Sequence, residues 1–334
     1  MIFTITVFTL FFADNTVFSQ RGGRSQEIIE VRLASPMPRN SDWGRTLDRL
    51  AAEWARVTNN EVRLRVIHDG VEGGDAKLFP SLATDNIQAS LFTSHGISRF
   101  CPAVMTLSIP FLIGNDAELD LVLNEVLPVL EEQISKTNYV VLAWSRGGWV
   151  NVFSKNPITV PDDLRGHKLA SDAEAEEMNM AFKAMGFNMI DTDMVDLGTR
   201  LANNMINAIY QTPAAVAPLG LYKYLGNMLD MPIAPYLGAI VMNRVTWNKL
   251  GSERQREITR VTRRIAAEFD ESMPKTVANA LTMMQRAGLK INKGQEILWR
   301  NEVNKAIPSL IGTAFDRDIY RFVNEILEKS RNER

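Results

Sequence analysis

Apolar and polar positions follow a rhythm that changes period along the chain. Residues 28–33 form a short apolar-rich run, and 61–67 alternate charged and apolar side chains, as strands buried on one face do. Between them, 42–58 carry Leu47, Leu50, Trp54 and Val57 on one side at helical spacing, and Asn59-Asn60 end that helix. A glycine-rich turn at 70–74 leads into a predicted helix over 77–84 and a strand over 87–92. A further helix is predicted over 116–135, interrupted near Pro128. Strand–helix alternation of this kind predicts an α/β domain.

The stretch from residue 139 to 186 organises the rest. The pattern predicts an apolar strand over 139–144, a crossing at Gly147-Gly148 and a second strand over 150–154. A turn built on Asn156-Pro157 and Pro161 follows, and then a short strand over 167–170. Ser171 and Glu174 have the Ser-x-x-Glu spacing in which each side chain satisfies an exposed N–H at a helix start, and Gly186 stops that helix. A chain leaves one α/β lobe and begins another in this way, and a ligand would sit where the lobes meet. Two octapeptides, Leu82-Ala-Thr-Asp-Asn-Ile-Gln-Ala and Leu201-Ala-Asn-Asn-Met-Ile-Asn-Ala, run parallel. Each reads as a helix end, an Asp or Asn able to turn left-handed, and passage into a strand, which predicts similar wiring in two halves. Residues 252–334 are charged and predicted to be largely helical, with breaks near Pro274, Gly288, Pro308 and Gly312.

Composition narrows the function. The 334 residues are enough for two lobes with cores, and a net charge of -2 gives no electrostatic basis for binding nucleic acid or an anionic membrane. A single cysteine, Cys101, excludes an intramolecular disulfide framework and a cysteine-built metal site. His68, His95 and His167 are too scattered for a metal motif. Residues 2–12 are an apolar run too short to span a bilayer as a helix. Val17-Phe18-Ser19 after it resembles a cleavage site, so the mature chain is expected to start near Gln20, outside the cytoplasm. A buried N-terminal strand is the alternative. The chain has no G-x-S-x-G, P-loop, H-E-x-x-H or strand-linked G-x-G-x-x-G, so neither an enzyme nor a cofactor is expected.

Several short segments then carry a family likeness. They are Leu107-Ser-Ile-Pro-Phe-Leu112, Trp144-Ser-Arg-Gly-Gly148, Asn156-Pro-Ile158, Pro161-Asp-Asp-Leu-Arg-Gly-His-Lys168 and the helix end Ala184-Met-Gly186. In order and spacing, from residue 28 to about 289, they resemble the solute receptor of a tripartite ATP-independent periplasmic (TRAP) transporter, the dicarboxylate-receptor (DctP-like) family. The resemblance implies a two-lobed α/β periplasmic solute-binding-protein fold, with crossing hinge strands and a long bridging helix over about 252–285, bent near Pro274. It implies a signal segment and linker at 1–26, a first lobe at 27–147 to which about 233–270 return, and a second lobe at 148–232 braced by about 271–334. It also implies a periplasmic location, membrane permease subunits as partners and, in some members, a tetratricopeptide-repeat periplasmic protein.

The departures from the family concern the site. Two arginines of the family grip a substrate carboxylate, and the matching positions here are Val150 and Ala170. Tyr210 and Gln211 fall in the segment matching another family motif. Trp43 at the first strand-to-helix turn, Asp75 after Gly73-Gly74, His95 at a strand end and Trp149 are further candidates for ligand contact. Each has a structural alternative: packing for Trp43, Trp149 and Tyr210, a helix cap for Asp75, a satisfied structural histidine for His95. Arg146 is the cation nearest the crossing, with Lys168 the lesser candidate. An enclosed carboxylate needs a cation and hydrogen bonds in exchange for its lost water. The missing arginines therefore lead to the expectation of an uncharged or hydrophobic ligand. A receptor fold kept only as an interaction or sensor protein is the alternative, and an unrecognised periplasmic enzyme the third.

Overall fold

The computed structural model of the protein describes residues 28–171 and 175–333. The apolar run at 2–12, the cleavage-site pattern and Glu174 lie outside them. The chain first lays down β1 (Ile29–Ala34), α1 (Asp42–Val57), β2 (Val62–Ile67), α2 (Asp75–Ala83), β3 (Ala89–Thr93), α3 (Ser94–Ser98) and α4 (Asp116–Ser135). A long strand, β4 (Tyr139–Ser154), leads into α5 (Pro161–Arg165), β5 (Leu169–Ser171), α6 (Glu176–Ala184), β6 (Met189–Asp191), α7 (Leu197–Ala202), β7 (Ala208–Gln211), α8 (Pro213–Val216) and β8 (Asn227–Asp230). It returns through β9 (Ala234–Asn243) and α9 (Arg244–Arg286), and closes with β10 (Lys290–Lys293), α10 (Glu296–Ala306) and α11 (Arg317–Asn332).

Pairing of the strands makes the two lobes. In the first, β2, β1 and β3 run parallel and β9 lies antiparallel beside β3. In the second, β6, β5 and β7 run parallel and β4 lies antiparallel beside β7. β4 and β9 pair with each other from Tyr139 opposite Asn243 to Val150 opposite Ala234, so this ribbon is common to both lobes. The two octapeptides sit at equivalent places in this scheme. Asp85 (φ 61°) joins α2 to β3, and Asn204 (φ 53°) joins α7 to β7, each ahead of the third strand of a parallel trio. The two-lobed α/β fold expected from the sequence is the fold of the protein.

The glycine pair does not separate two strands, as the pattern had implied. β4 is continuous, and Gly147-Gly148 form a bulge where its register against β9 shifts between Arg146 and Trp149. The bulge requires glycine twice. Gly148 has φ +88°, and a Cβ on Gly147 would lie 2.5 Å from Cδ1 of Tyr236. Three other expectations are corrected. Pro128 does not interrupt α4, because its ring and missing N–H are accommodated inside one continuous helix. Ser171 does not cap a helix, because it ends β5, and α6 starts only at Glu176 after Ala175. The short strand β10, parallel to β8, falls within the stretch read as helical.

Helix α9 spans 43 residues and is broken at Gly251 (φ 74°, ψ 158°), so its long arm starts where the sequence placed it. Its apolar residues Ile258, Val261 and Ile265 pack with Leu47, Leu50 and Trp54 of α1, and the Trp54 indole donates to Thr262 Oγ1 at 3.0 Å. Further along, Asp270 Oδ1 accepts from Ser145 Oγ and from the Arg146 amide, both at 2.8 Å, which ties α9 to β4 just ahead of the bulge. The last helix lies against α4. There the Arg331 guanidinium reaches buried Glu118 through Nε at 2.9 Å and Nη2 at 2.8 Å. Among the described residues no helix is long and apolar enough to cross a membrane.

Candidate functional site

A cavity of about 390 Å3 lies where the two parallel trios point their carboxyl ends at each other. Parallel strands that return through helices all end on one edge, and in open α/β sheets that edge is where ligands bind. The first lobe contributes Met37 after β1, Gly73 to Lys77 at the start of α2, and Thr93, Ser94 and His95 at the end of β3. From the second lobe come Ala170 and Ser171 at the end of β5, Thr192, Asp193 and Met194 after β6, and Ile209, Tyr210 and Gln211 at the end of β7. The shared ribbon supplies Val150 and residues 233–237. The volume suits a small organic molecule.

Hydrogen bonds fix the first-lobe wall. Asp75 opens α2, and its Oδ2 accepts from the Thr93 hydroxyl at 2.5 Å and the Gly96 amide at 2.9 Å. Thr93 Oγ1 in turn accepts from the amide of His95 at 3.2 Å, and Ser94 Oγ donates to the Leu237 carbonyl at 3.2 Å. On the second-lobe side the wall is more apolar. Val150, Ala170, Leu197 and Ile209 are all buried, and the Tyr210 ring stands edge-on to Phe182 with centroids 4.9 Å apart. The buried Gln211 turns its Oε1 to the amide of Thr212 at 2.8 Å. Among the described residues the basic side chains lining the cavity are Lys77 and His95, and no arginine lines it. No group of His, Cys, Asp and Glu among those residues could hold a metal ion.

Of the residues singled out from the sequence, Asp75, His95, Val150, Ala170, Tyr210 and Gln211 lie on this cavity. Trp43, Arg146 and Trp149 do not line it. The Trp43 ring packs 4.1 Å from that of Phe269, between α1 and α9. Arg146 is held by Asp120 and, through Nε at 3.5 Å, by Asp270, in a separate depression beside Trp144 and Arg263. It is therefore not available to grip a ligand. The Trp149 indole donates to Asp116 Oδ1 at 2.7 Å, over the first turn of α4. Lys168 turns to the Asn204 carbonyl at 3.3 Å. Sequence reasoning missed Lys77, Ser108, Thr192, Asp193 and Tyr236. For Thr192 and Asp193 the signal that could have found them is the end of β6 just before them, once the trio is known to be parallel; Lys77, Ser108 and Tyr236 carry no such local mark.

A small-molecule cavity walled by two α/β lobes, which share a strand pair and a bridging helix, defines a periplasmic-type solute-binding receptor. The chain belongs to the bacterial extracellular solute-binding protein family 7 (DctP), whose model matches residues 33–311. It is a non-catalytic receptor of the TRAP class and works in the periplasm. Solved structures share the fold. The TRAP solute-binding protein of Chromohalobacter salexigens with bound D-glucuronate has a TM-score of 0.83 at 17% identity, over 89% of this chain and 99% of that one. The sugar acid binding protein of Advenella mimigardefordensis with galactonate has a TM-score of 0.82 at 17% identity, over 91% and 99%. The TRAP periplasmic solute-binding protein of Desulfovibrio salexigens with bound orotic acid has a TM-score of 0.83 at 16% identity, over 90% and 99%. A curated solute-binding protein of Sulfitobacter sp. is 22% identical over 177 residues, and the match spans 51% of this chain and 52% of that relative.

These relatives overturn the expectation of an uncharged or hydrophobic ligand, since glucuronate, galactonate and orotate are all carboxylic acids. The physical error was to seek the compensating cation only at the positions of Val150 and Ala170, or in Arg146 and Lys168. An ammonium, hydroxyl donors and main-chain amides also replace its water.

Proposed function

We propose that the protein captures a small carboxylic acid in the cavity between its lobes and presents it to the membrane permease subunits of a TRAP transporter. The observation that carries this reading is the cavity itself. Its wall combines strand ends of both lobes with hydroxyls of Thr93, Ser94, Ser108, Ser171 and Thr192, and with the basic side chains of Lys77 and His95. A receptor fold kept only for protein contacts has no need of such a space, and the carboxylic acids held by relatives of the same fold support the ligand class. In this reading the lobes divide at residues 147 and 148, with 233–270 returning to the first and 271–334 bracing the second. A tetratricopeptide-repeat protein is the second partner to seek by co-purification.

Matched pairs test the ligand class: D-glucuronate against glucose, and orotate against uracil, by thermal shift and calorimetry. An acid that binds should raise the melting temperature while its neutral counterpart does not, because ligand at 100-fold over Kd adds about 2.7 kcal/mol of stability. Neutral members that bind as tightly as the acids would overturn the proposal.

A further inference from the structure

We infer that Lys77 is the charge partner of the ligand's carboxylate, and that the cavity selects hydroxyl-bearing monocarboxylates over dicarboxylates. This rests on the carboxylic-acid reading above and adds the orientation and number of charges.

The two ends of the cavity differ in charge. At the first-lobe end Lys77 stands in the first turn of α2, exposed, its aliphatic stem folded over Gly73, where a Cβ would meet Lys77 Cδ at 2.6 Å. It makes no ion pair among the described residues. The other titratable groups at this end are already engaged: Asp75 Oδ2 accepts from Thr93 and Gly96, and His95 has its own partner within the protein. Among the described residues Lys77 is thus the uncommitted cation on the wall.

At the second-lobe end the wall offers no cation among the described residues. Val150, Ala170 and Ile209 are apolar, and the charge at its margin is the exposed carboxylate of Asp193. A carboxylate placed there would lose water against apolar surface and meet a like charge. A hydroxyl placed there loses little and can donate to Asp193. The ligand that satisfies both ends has its single carboxylate at Lys77 and hydroxyl groups towards Asp193.

Galactonate and galactarate test this directly, because they share a carbon skeleton and differ in carrying one or two carboxylates. Calorimetry on the full chain should show galactonate binding at least about ten-fold more tightly. Lys77→Ala should weaken galactonate by about ten-fold or more, as loss of a charged hydrogen bond does, while Lys77→Arg retains most of the affinity. Asp193→Asn should narrow the gap by strengthening galactarate. Lys77 is exposed, so melting temperatures of its variants should match the parent, which separates lost binding from lost folding. Unchanged galactonate affinity in Lys77→Ala, tighter galactarate, or binding confined to acids without hydroxyls would overturn the inference and leave the carboxylic-acid reading standing. Failure of the folded parent to bind any carboxylic acid would overturn that reading and this inference with it.

Discussion

The carboxyl group of Asp75 and the aromatic ring of Phe92 close around Gly96 so tightly that a methyl group has no place. A Cβ there would lie 2.4 Å from Phe92 Cδ1 and 2.7 Å from Asp75 Cγ. Gly96→Ala must push the Asp75 carboxylate off the Gly96 amide and strain the first-lobe wall, which overpacking of this kind sets at about 1–3 kcal/mol. Urea denaturation should show a lower midpoint with an unchanged slope, and a loss below about 0.5 kcal/mol would contradict the packing described. The same scale shows where sequence reading stops. Asp75 and His95 are legible as strand-end and turn residues, but nothing in the chain says that Trp149 turns to Asp116 or that Arg146 is taken by Asp120 and Asp270. A bulge at Gly147-Gly148 shifts the alternation of side chains, and Asp120 and Asp270 come from distant elements. Lys77 was invisible for the complementary reason: one exposed lysine on a helix reads as a solvated residue until the cavity beside it is seen.

At the scale of elements, the link between β4 and α9 governs how the lobes are joined. Asp270 reaches across from the helix to Ser145 and Arg146, and burial raises its carboxyl above the ordinary range against the opposing pull of those hydrogen bonds and the Arg146 charge. A raised value means that the folded protein holds this proton more tightly than the unfolded chain does. The stability this group contributes is therefore fully present below the unfolded value of about 3.9 and is lost as pH rises through its folded pKa. Asp270→Asn keeps an oxygen for Ser145 and Arg146 but cannot ionise. Its stability relative to the parent should climb as pH rises from about 4 and then level off. A difference that stays flat or falls over that range would show that the carboxyl is not held as described. Elements were largely readable from pattern. The bounds of α4, the start of the long arm of α9 and the left-handed Asp85 and Asn204 all follow from local chemistry. The glycine crossing and the supposed cap at Ser171 were misread, because partner strands decide whether a glycine pair breaks a strand or bulges it.

Taken whole, the molecule is two similarly wired lobes that share the β4–β9 ribbon and lean on α9. Glycine at positions 147 and 148 lets the ribbon absorb changes in φ and ψ, so a bound acid should draw the lobes together. Small-angle scattering should report a smaller radius of gyration with saturating ligand, and the fluorescence of Trp144 and Trp149, which flank the bulge, should change with it. Identical curves with and without a tightly bound acid would count against closure about this ribbon. Family and fold were legible because many short segments kept their order; ligand class was not, because it depends on side chains that converge only after folding. The most direct test of the central claim is native mass spectrometry of the protein isolated from the periplasm of its own cells. The account predicts a one-to-one complex that releases a small carboxylic acid on unfolding, detected as an anion. Release of an uncharged molecule without a carboxyl group would contradict it.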